Sequence, residues 1–185
     1  MNVIEAIYRR RSLGKVRPDP VPRSEIEKLL GAAVQAPNHY KVRPWRFVIV
    51  AGEARNRLGE AMASGFHRRF PQVDDTGLDK ERAKPLRAPV IIAVGVDRPE
   101  EARVVEIENV CAAAAAVQNI LLVATELGLA GYWRTGDAAR DPEVKEFLGL
   151  AADQDLIAFL YLGYPETVPE MPERPGFDDR ARWMN

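Results

Sequence analysis

Cysteine and histidine are scarce in this chain of 185 residues, which has one cysteine and two histidines. Cys111 has no second cysteine to pair with, so an internal disulfide is excluded and the composition fits a reducing compartment. A structural zinc site needs four nitrogen or sulfur ligands close together, and this small supply argues against one. We therefore expect a chain that folds on its own hydrophobic core.

An excess of charge of one sign is also missing, as is a long apolar run. Lys and Arg total 26 against 27 Asp and Glu, so the net charge of −1 provides no overall field that attracts nucleic acid or an anionic membrane. One mostly apolar stretch, 111–124, is shorter than the about 20 residues that cross a bilayer. No signal peptide is predicted at the N-terminus. These features predict a cytoplasmic protein without nucleic-acid or membrane partners.

Several common catalytic motifs are absent as well. The chain has no GxGxxG or GxxxxGK[ST] pattern, so the usual glycine-rich loops for dinucleotides and phosphates are missing. It also has no GxSxG pattern and no Cys-x-x-Cys pair. Any chemistry must therefore be sought in less distinctive segments.

Hydrophobic periodicity predicts helices and strands that alternate along the chain without a linker or a repeat. Buried strands flanked by helices indicate a layered α/β fold, and the length fits a single domain over 1–185. Ser24 and Glu27 form a possible capping box, and Asp141-Pro142 is a typical helix start. Helices are predicted for 3–9, from 24 to Pro37, 53–67, within 71–85, 104–127 and from 141, and strands for 47–50, 90–94, 131–134 and 156–162. The proline-containing tail (Pro165, Pro169, Pro172 and Pro175) is predicted to be extended.

The long helix predicted for 104–127 is apolar on more than one side, and Gly128 is predicted to follow its end. A helix that is apolar on most sides must be covered on most sides. We expect that a second subunit covers one of these sides, because the small alanine side chains allow another helix to approach closely. The alternative is a central helix that its own chain wraps.

Three segments concentrate side chains that can bind a ligand. Arg9-Arg10-Arg11-Ser12 at a helix end can hold a phosphate dianion, because guanidinium groups form bidentate hydrogen bonds, but it can equally be a solvated basic helix end. The segment 36–45 places polar donors between two prolines, or it is an ordinary connection. The segment 128–136 contains Trp133, which can be a core residue, and Arg134, whose charge after a buried strand needs a partner.

Taken together and in this order, the segments resemble the nitroreductase family of FMN enzymes, and within it the small members. The resemblance spans nearly the whole chain. It is carried by Arg10-Arg11-Ser12, by Ala36-Pro37 through Pro44-Trp45, by the alanine-rich helix with Val117-Gln118-Asn119, by Gly128 through Arg134, and by Leu162-Gly163-Tyr164-Pro165. Gly14 departs from it, since many larger members have lysine there, and Arg174 is the counterpart of a basic pair near their C-terminus.

The resemblance implies an α+β fold with three layers, α/β/α, in which helices flank a central mixed sheet and two chains form an intertwined homodimer. It implies two FMN sites at the subunit interface. It implies no catalytic residue, because the chemistry takes place on the flavin. The first chain would contribute Arg10, Arg11, Ser12, Trp133, Arg134, Thr135 and Gly136. The other subunit would contribute Asn38, His39 and Lys41, with Gln35 as an additional contact.

The resemblance also implies a reaction. NADH or NADPH would reduce FMN, and the flavin would then reduce a nitroaromatic, a quinone or a similar small molecule at the same place, which gives ping-pong kinetics. An alternative is a carrier or sensor module that binds FMN without significant turnover, because the same motifs fit both.

Overall fold

The structure is a computed structural model that describes residues 1–168, 170 and 173–184. Helices and strands follow one another in the predicted order. The helices are α1 (Val3–Arg9), α2 (Arg23–Ala33), α3 (Ala54–Arg69), α4 (Asp75–Ala83), α5 (Glu106–Glu126) and α6 (Pro142–Phe147). The strands are β1 (Trp45–Ala51), β2 (Val90–Val96), β3 (Ala130–Arg134) and β4 (Asp155–Gly163). Pro169 and Pro172 of the predicted extended tail lie outside the described residues.

The four strands form one sheet in the order β1-β2-β4-β3, and each neighbouring pair is antiparallel. The expected mixed sheet is therefore wrong for these strands. Strands β2 and β3 run in the same direction, but β4 lies between them and is antiparallel to both, so they do not pair with each other. A single isolated bridge from Ser12 to Gly131 is the one parallel pairing among the described residues.

Strand β1 is less buried than the sequence predicted. Only Val50 of the predicted segment 47–50 is fully buried, and Ile49 is 39% exposed. The reason is its position, because an edge strand has a neighbour on one side only, whereas β2 is buried along its whole length. Apolar composition alone does not distinguish these two situations.

Helices cover both faces of the sheet, which confirms the three-layer α/β/α arrangement of an α+β protein. Helices α2 and α5 pack on one face, against Ile92, Val94 and Leu160. Helices α3 and α6 pack on the other, against Ile91 and Phe159. Successive residues of a strand point to opposite faces, so each central strand contributes to both cores.

Local signals at helix ends were predicted with mixed success. Asp141 caps α6, because its carboxylate accepts hydrogen bonds from the backbone N–H groups of Glu143 and Val144. Gly128 follows α5 with a φ of +72°, as predicted. The capping box is wrong: α2 begins at Arg23, and its preceding residue, Pro22, has no side chain that can cap a helix. Proline fixes φ near the helical value, and the residue at the cap position is Pro22, two residues before the predicted Ser24.

Helix α5 is long and apolar enough to cross a membrane, but in this fold it crosses the face of the sheet, and 44% of its most apolar 18-residue window is buried. Its own chain covers the side that faces the sheet and α2. The other side is open, with Ile107 61% exposed and Cys111 also exposed. The alternative of a central helix that its own chain wraps therefore holds for one side of α5 only.

Candidate functional site

Arg10 occupies the turn that ends α1. Asn2 caps the start of this helix by accepting a hydrogen bond from Glu5 N at 2.9 Å. The helix ends at Arg9, and Arg10 leaves it with an extended backbone (φ −56°, ψ 128°). Its carbonyl oxygen accepts a hydrogen bond from Arg174 Nη2 at 2.6 Å, so the C-terminal segment lies against this turn. Partial burial lowers the pKa of Arg10, and the charge of Arg174 adds to that effect.

The residues after α1 run beside β3. Ser12 bridges to Gly131, and Val16 bridges to Pro165. A Cβ atom added to Gly14 would lie 3.7 Å from Nη2 of Arg134. The chain trace therefore brings the first and third predicted segments together, although Ser12 and Gly131 are 119 positions apart in sequence. Ser12 is exposed, while Arg11 is partly buried at the same turn and lines, with Arg9, a groove of about 400 Å³.

A cleft of about 500 Å³ opens where β3 ends, and we call it the Arg134 cleft. Three of the predicted site residues line it, namely Arg134, Thr135 and Gly136. Gly136 has a φ of +83°, a conformation that glycine adopts without strain. The other lining residues are Met62, Phe66, Arg69, Glu81, Lys84, Arg87, Asp137, Ala138, Phe159 and Tyr161.

The Arg134 cleft contains residues that the sequence did not reveal. Its lining comes from α3, α4, the 3₁₀ turn Lys84–Arg87 and β4, and these elements are remote from one another in sequence. In a single sequence, Arg69, Lys84 and Arg87 are ordinary surface charges, and Tyr161 is a strand residue. No local motif connects them, so only the fold could show that they share a cleft.

Trp133 does not take part in this cleft. It lies between Tyr132 and Arg134 in β3, and alternate strand residues point to opposite faces. Its indole Nε1 donates a hydrogen bond to the carbonyl oxygen of Ile157 at 2.9 Å, and the residue is 37% exposed. The predicted contact between Trp133 and the flavin would have to be made on the opposite face of the sheet.

The second predicted segment is a tightly folded loop. Asn38 Oδ1 accepts a hydrogen bond from Arg43 N at 2.9 Å, and Asn38 Nδ2 donates to the carbonyl oxygen of Ala36 at 3.3 Å. His39 Nδ1 lies 2.8 Å from a carboxylate oxygen of Glu108 in α5. Three residues of this loop have a positive φ: Tyr40 (+48°), Lys41 (+58°) and Arg43 (+51°). This loop is held in an unusual backbone conformation, which is common where a chain presents groups to a ligand.

This loop and the Arg134 cleft lie at opposite edges of the sheet. The loop leads into β1, whereas the cleft begins at the end of β3, and three strand spacings of about 4.8 Å separate those strands. Lys41 instead lines a second cleft, of about 350 Å³, with Asp97 and Arg98. Gln35, two residues after the end of α2, is exposed. Within one chain, the segment from Gln35 to Lys41 is therefore not part of the Arg134 cleft.

Comparison with known proteins gives consistent matches over most of the chain. Residues 7–164 match the model of the Nitroreductase family. A relative from Escherichia coli strain K12, named "Putative NAD(P)H nitroreductase YdjA", is 33% identical over 167 residues, which is 90% of each chain. The crystal structure of a nitroreductase-like family protein from Bacillus cereus is 27% identical, with a TM-score of 0.85 over 100% of this chain and 96% of that one. A structure from Desulfovibrio desulfuricans, solved in complex with FMN, is 25% identical, with a TM-score of 0.77 over 100% of this chain and 98% of that one.

Proposed function

Because the chain belongs to the nitroreductase family, we propose that it is an FMN-dependent oxidoreductase that uses NADH or NADPH to reduce a nitroaromatic, a quinone or a similar electron-poor molecule. One observation carries the proposal. The chain after the turn Arg10–Ser12 runs along β3, with Ser12 bridged to Gly131 and Gly14 close to Arg134, so a turn with phosphate-binding side chains and a ligand-sized cleft lie along the same strand. The structure from Desulfovibrio desulfuricans that holds FMN supports the choice of cofactor.

The residues that are present fit the polar groups of FMN. Arg10, Ser12 and Arg174 supply guanidinium and hydroxyl donors at one turn, and arginine binds phosphate through two parallel hydrogen bonds. The backbone at Thr135 and Gly136 provides further donors at the cleft. The cofactor-binding set that we propose is the one that the resemblance implied: Arg10, Arg11, Ser12, Gln35, Asn38, His39, Lys41, Trp133, Arg134, Thr135 and Gly136.

The protein would position the reactants and control the charge around them. FMN, when bound, supplies the redox chemistry by accepting two electrons as hydride from the nicotinamide and passing them to the acceptor. Arg134 would place a positive charge beside the flavin and so favour the electron-rich state. We assign no covalent catalytic residue. One binding place that serves donor and acceptor in turn would give ping-pong kinetics.

We propose further that the chain is a single domain over 1–185 and that it works in the cytoplasm as a homodimer with composite sites. Within one chain, the segment from Gln35 to Lys41 lies apart from the Arg134 cleft. A partner subunit can bring the two together, which supports composite sites. The open side of α5 and the exposed apolar residues Val3, Ile4 and Tyr8 of α1 supply apolar surface for the contact. We propose neither nucleic acid nor a membrane as a partner.

We expect a stable dimer whose interface buries more than about 2,000 Å², as obligate pairs do. Sedimentation velocity at protein concentrations from nanomolar to micromolar would measure it, with and without added FMN. A dimer that persists at submicromolar concentration would agree with composite sites. A stable monomer at micromolar concentration, with FMN bound, would contradict them.

The absorbance spectrum of the purified protein tests the proposed function. We expect flavin bands in the visible range that bleach when NADPH or NADH is added without oxygen and that return when a quinone or nitroaromatic follows. Free FMN at the same concentration is the control for reduction without the protein. Flavin-loaded protein that neither bleaches nor oxidises NAD(P)H would favour the carrier or sensor function, and protein that takes up no FMN would refute both.

A further inference from the structure

The Arg134 cleft holds two arginines whose charge no acid of the cleft neutralises. The cleft has two acidic residues, and each already has a basic partner: Asp137 pairs with Arg69 at 3.3 Å, and Glu81 pairs with Lys84. Among the residues that the structure describes, no carboxylate forms a salt bridge with the remaining arginines of the cleft, Arg87 and Arg134. Four basic and two acidic side chains leave a local charge of +2.

Arg134 is held by aromatic rings instead of an acid. Its guanidinium lies 4.1 Å from the ring centre of Tyr132 and 5.8 Å from that of Tyr161. Both contacts are cation–π interactions, which keep the group in place and leave most of its hydrogen-bond donors available. A partly buried guanidinium without an anionic partner is costly, and an anion in the cleft would remove that cost.

Tyr161 adds a neutral hydrogen-bond donor to the same cleft. It is 6% exposed, and burial raises the pKa of its phenol, while the charges of Arg87 and Arg134 act in the opposite direction. A raised pKa keeps the O–H group protonated throughout the neutral range. Phe66, Phe159 and Met62 complete the lining with apolar surface. A volume of about 500 Å³ is within the range of small-molecule sites, and an apolar floor with a few polar groups is typical of them.

We propose that Arg87 and Arg134 bind the carboxylate or phosphate group of a small substrate in the Arg134 cleft. This inference rests on the proposed function and deepens it, since it assigns a charge to one of the substrates. The anionic group could belong to an electron acceptor that carries a carboxylate, or it could be the 2′-phosphate that distinguishes NADPH from NADH. Both present oxygen atoms that a guanidinium can bind through two hydrogen bonds.

Arg87→Gln tests the inference, with Arg140→Gln as the matched control. Arg87 is exposed at the cleft mouth and outside the proposed FMN-binding set, so its loss should leave the fold and the flavin in place. Arg140 is also exposed, has no salt bridge among the described residues and does not line the cleft. Kinetics are compared for two pairs of substrates that differ in one anionic group: 4-nitrobenzoate with 4-nitrobenzamide, and NADPH with NADH.

We expect Arg87→Gln to raise KM about tenfold or more for the anionic member of one pair and to leave its partner within about twofold, since a charge-assisted hydrogen bond is lost. An effect confined to 4-nitrobenzoate identifies the acceptor as the source of the anion. An effect confined to NADPH identifies the nucleotide. Arg140→Gln should change none of the four values. Calorimetric titration of the oxidised protein with 4-nitrobenzoate and 4-nitrobenzamide, and with NADP⁺ and NAD⁺ in place of the reduced nucleotides, measures the preference without turnover.

Two results would overturn the inference. The first is that Arg87→Gln and Arg140→Gln have the same effect, or that both members of each pair change alike. The second is that Arg87→Gln leaves the substrate ratios unchanged but shifts the midpoint potential of the bound flavin, which would mean that Arg87 acts on the flavin and not on a substrate. If the wild-type protein oxidises NAD(P)H and Arg87→Gln leaves the substrate ratios unchanged, only this inference is refuted, whereas wild-type protein that takes up no FMN would refute the proposed function.

Discussion

Replacing Arg10 with alanine is expected to weaken FMN binding about ten- to a hundredfold. A hydrogen bond to a charged group contributes about 1.5–3 kcal/mol, and each 1.4 kcal/mol corresponds to about a tenfold change in Kd. Arg10 is partly buried at the turn that ends α1, and Arg174 donates a hydrogen bond to its carbonyl oxygen. Titration of the apo-protein with FMN, followed by flavin fluorescence at fixed salt, measures the effect.

Arg9→Ala is the matched control, because it removes the same charge from the same helix end. Arg9 is exposed and forms a salt bridge with Glu5 at 3.2 Å within α1. Exposed charges contribute little, so we expect the Kd for FMN to change by no more than about threefold. If the two variants weaken FMN binding equally, long-range charge alone holds the phosphate, and the placement of the phosphate at Arg10 is wrong.

Most helices and strands could be predicted because their signals are local. Apolar periodicity marks α5 and β4, and Asp141-Pro142 marks the start of α6 through an N-cap and a residue with a preset φ. The direction of the strands could not be predicted in this way. It depends on which strands become neighbours, and β4 enters the sheet between β2 and β3 although it is the last of the four in sequence. The exposure of β1 has the same cause.

The candidate site was predictable only where a family pattern exists. Arg10 and Arg134 were named from that pattern, and the bridge between Ser12 and Gly131 accounts for their common neighbourhood. Arg87 and Tyr161 belong to no such pattern. Their proximity results from the packing of the 3₁₀ turn Lys84–Arg87 near β4, and a single sequence carries no signal for that contact.

Gly59→Ala is expected to be strongly destabilising, because α3 and α4 approach closely at this residue. A Cβ atom added at Gly59 would lie 2.4 Å from the carbonyl oxygen of Arg82 and 3.1 Å from its carbonyl carbon. These are backbone atoms of α4, so no side chain can rotate to make room and one helix must move. Overpacking of this kind costs about 1–3 kcal/mol, and we expect the upper end of that range. For a chain of this size the melting temperature should fall by about 6–12 °C.

Gly31→Ala separates this steric effect from the general effect of replacing glycine in a helix. Gly31 lies within α2 and is exposed, and an added Cβ atom would meet nothing within 4 Å. Alanine is favoured over glycine inside a helix by about 1 kcal/mol, so this variant should melt higher by about 2–4 °C. Both variants make the same chemical change, and both melting curves are recorded with saturating FMN so that differences in flavin content do not contribute. The expected shifts have opposite signs. If Gly59→Ala also melts higher, α4 does not pack on α3 as closely as described, and the wall that α4 and the 3₁₀ turn Lys84–Arg87 give to the Arg134 cleft would have to be placed differently.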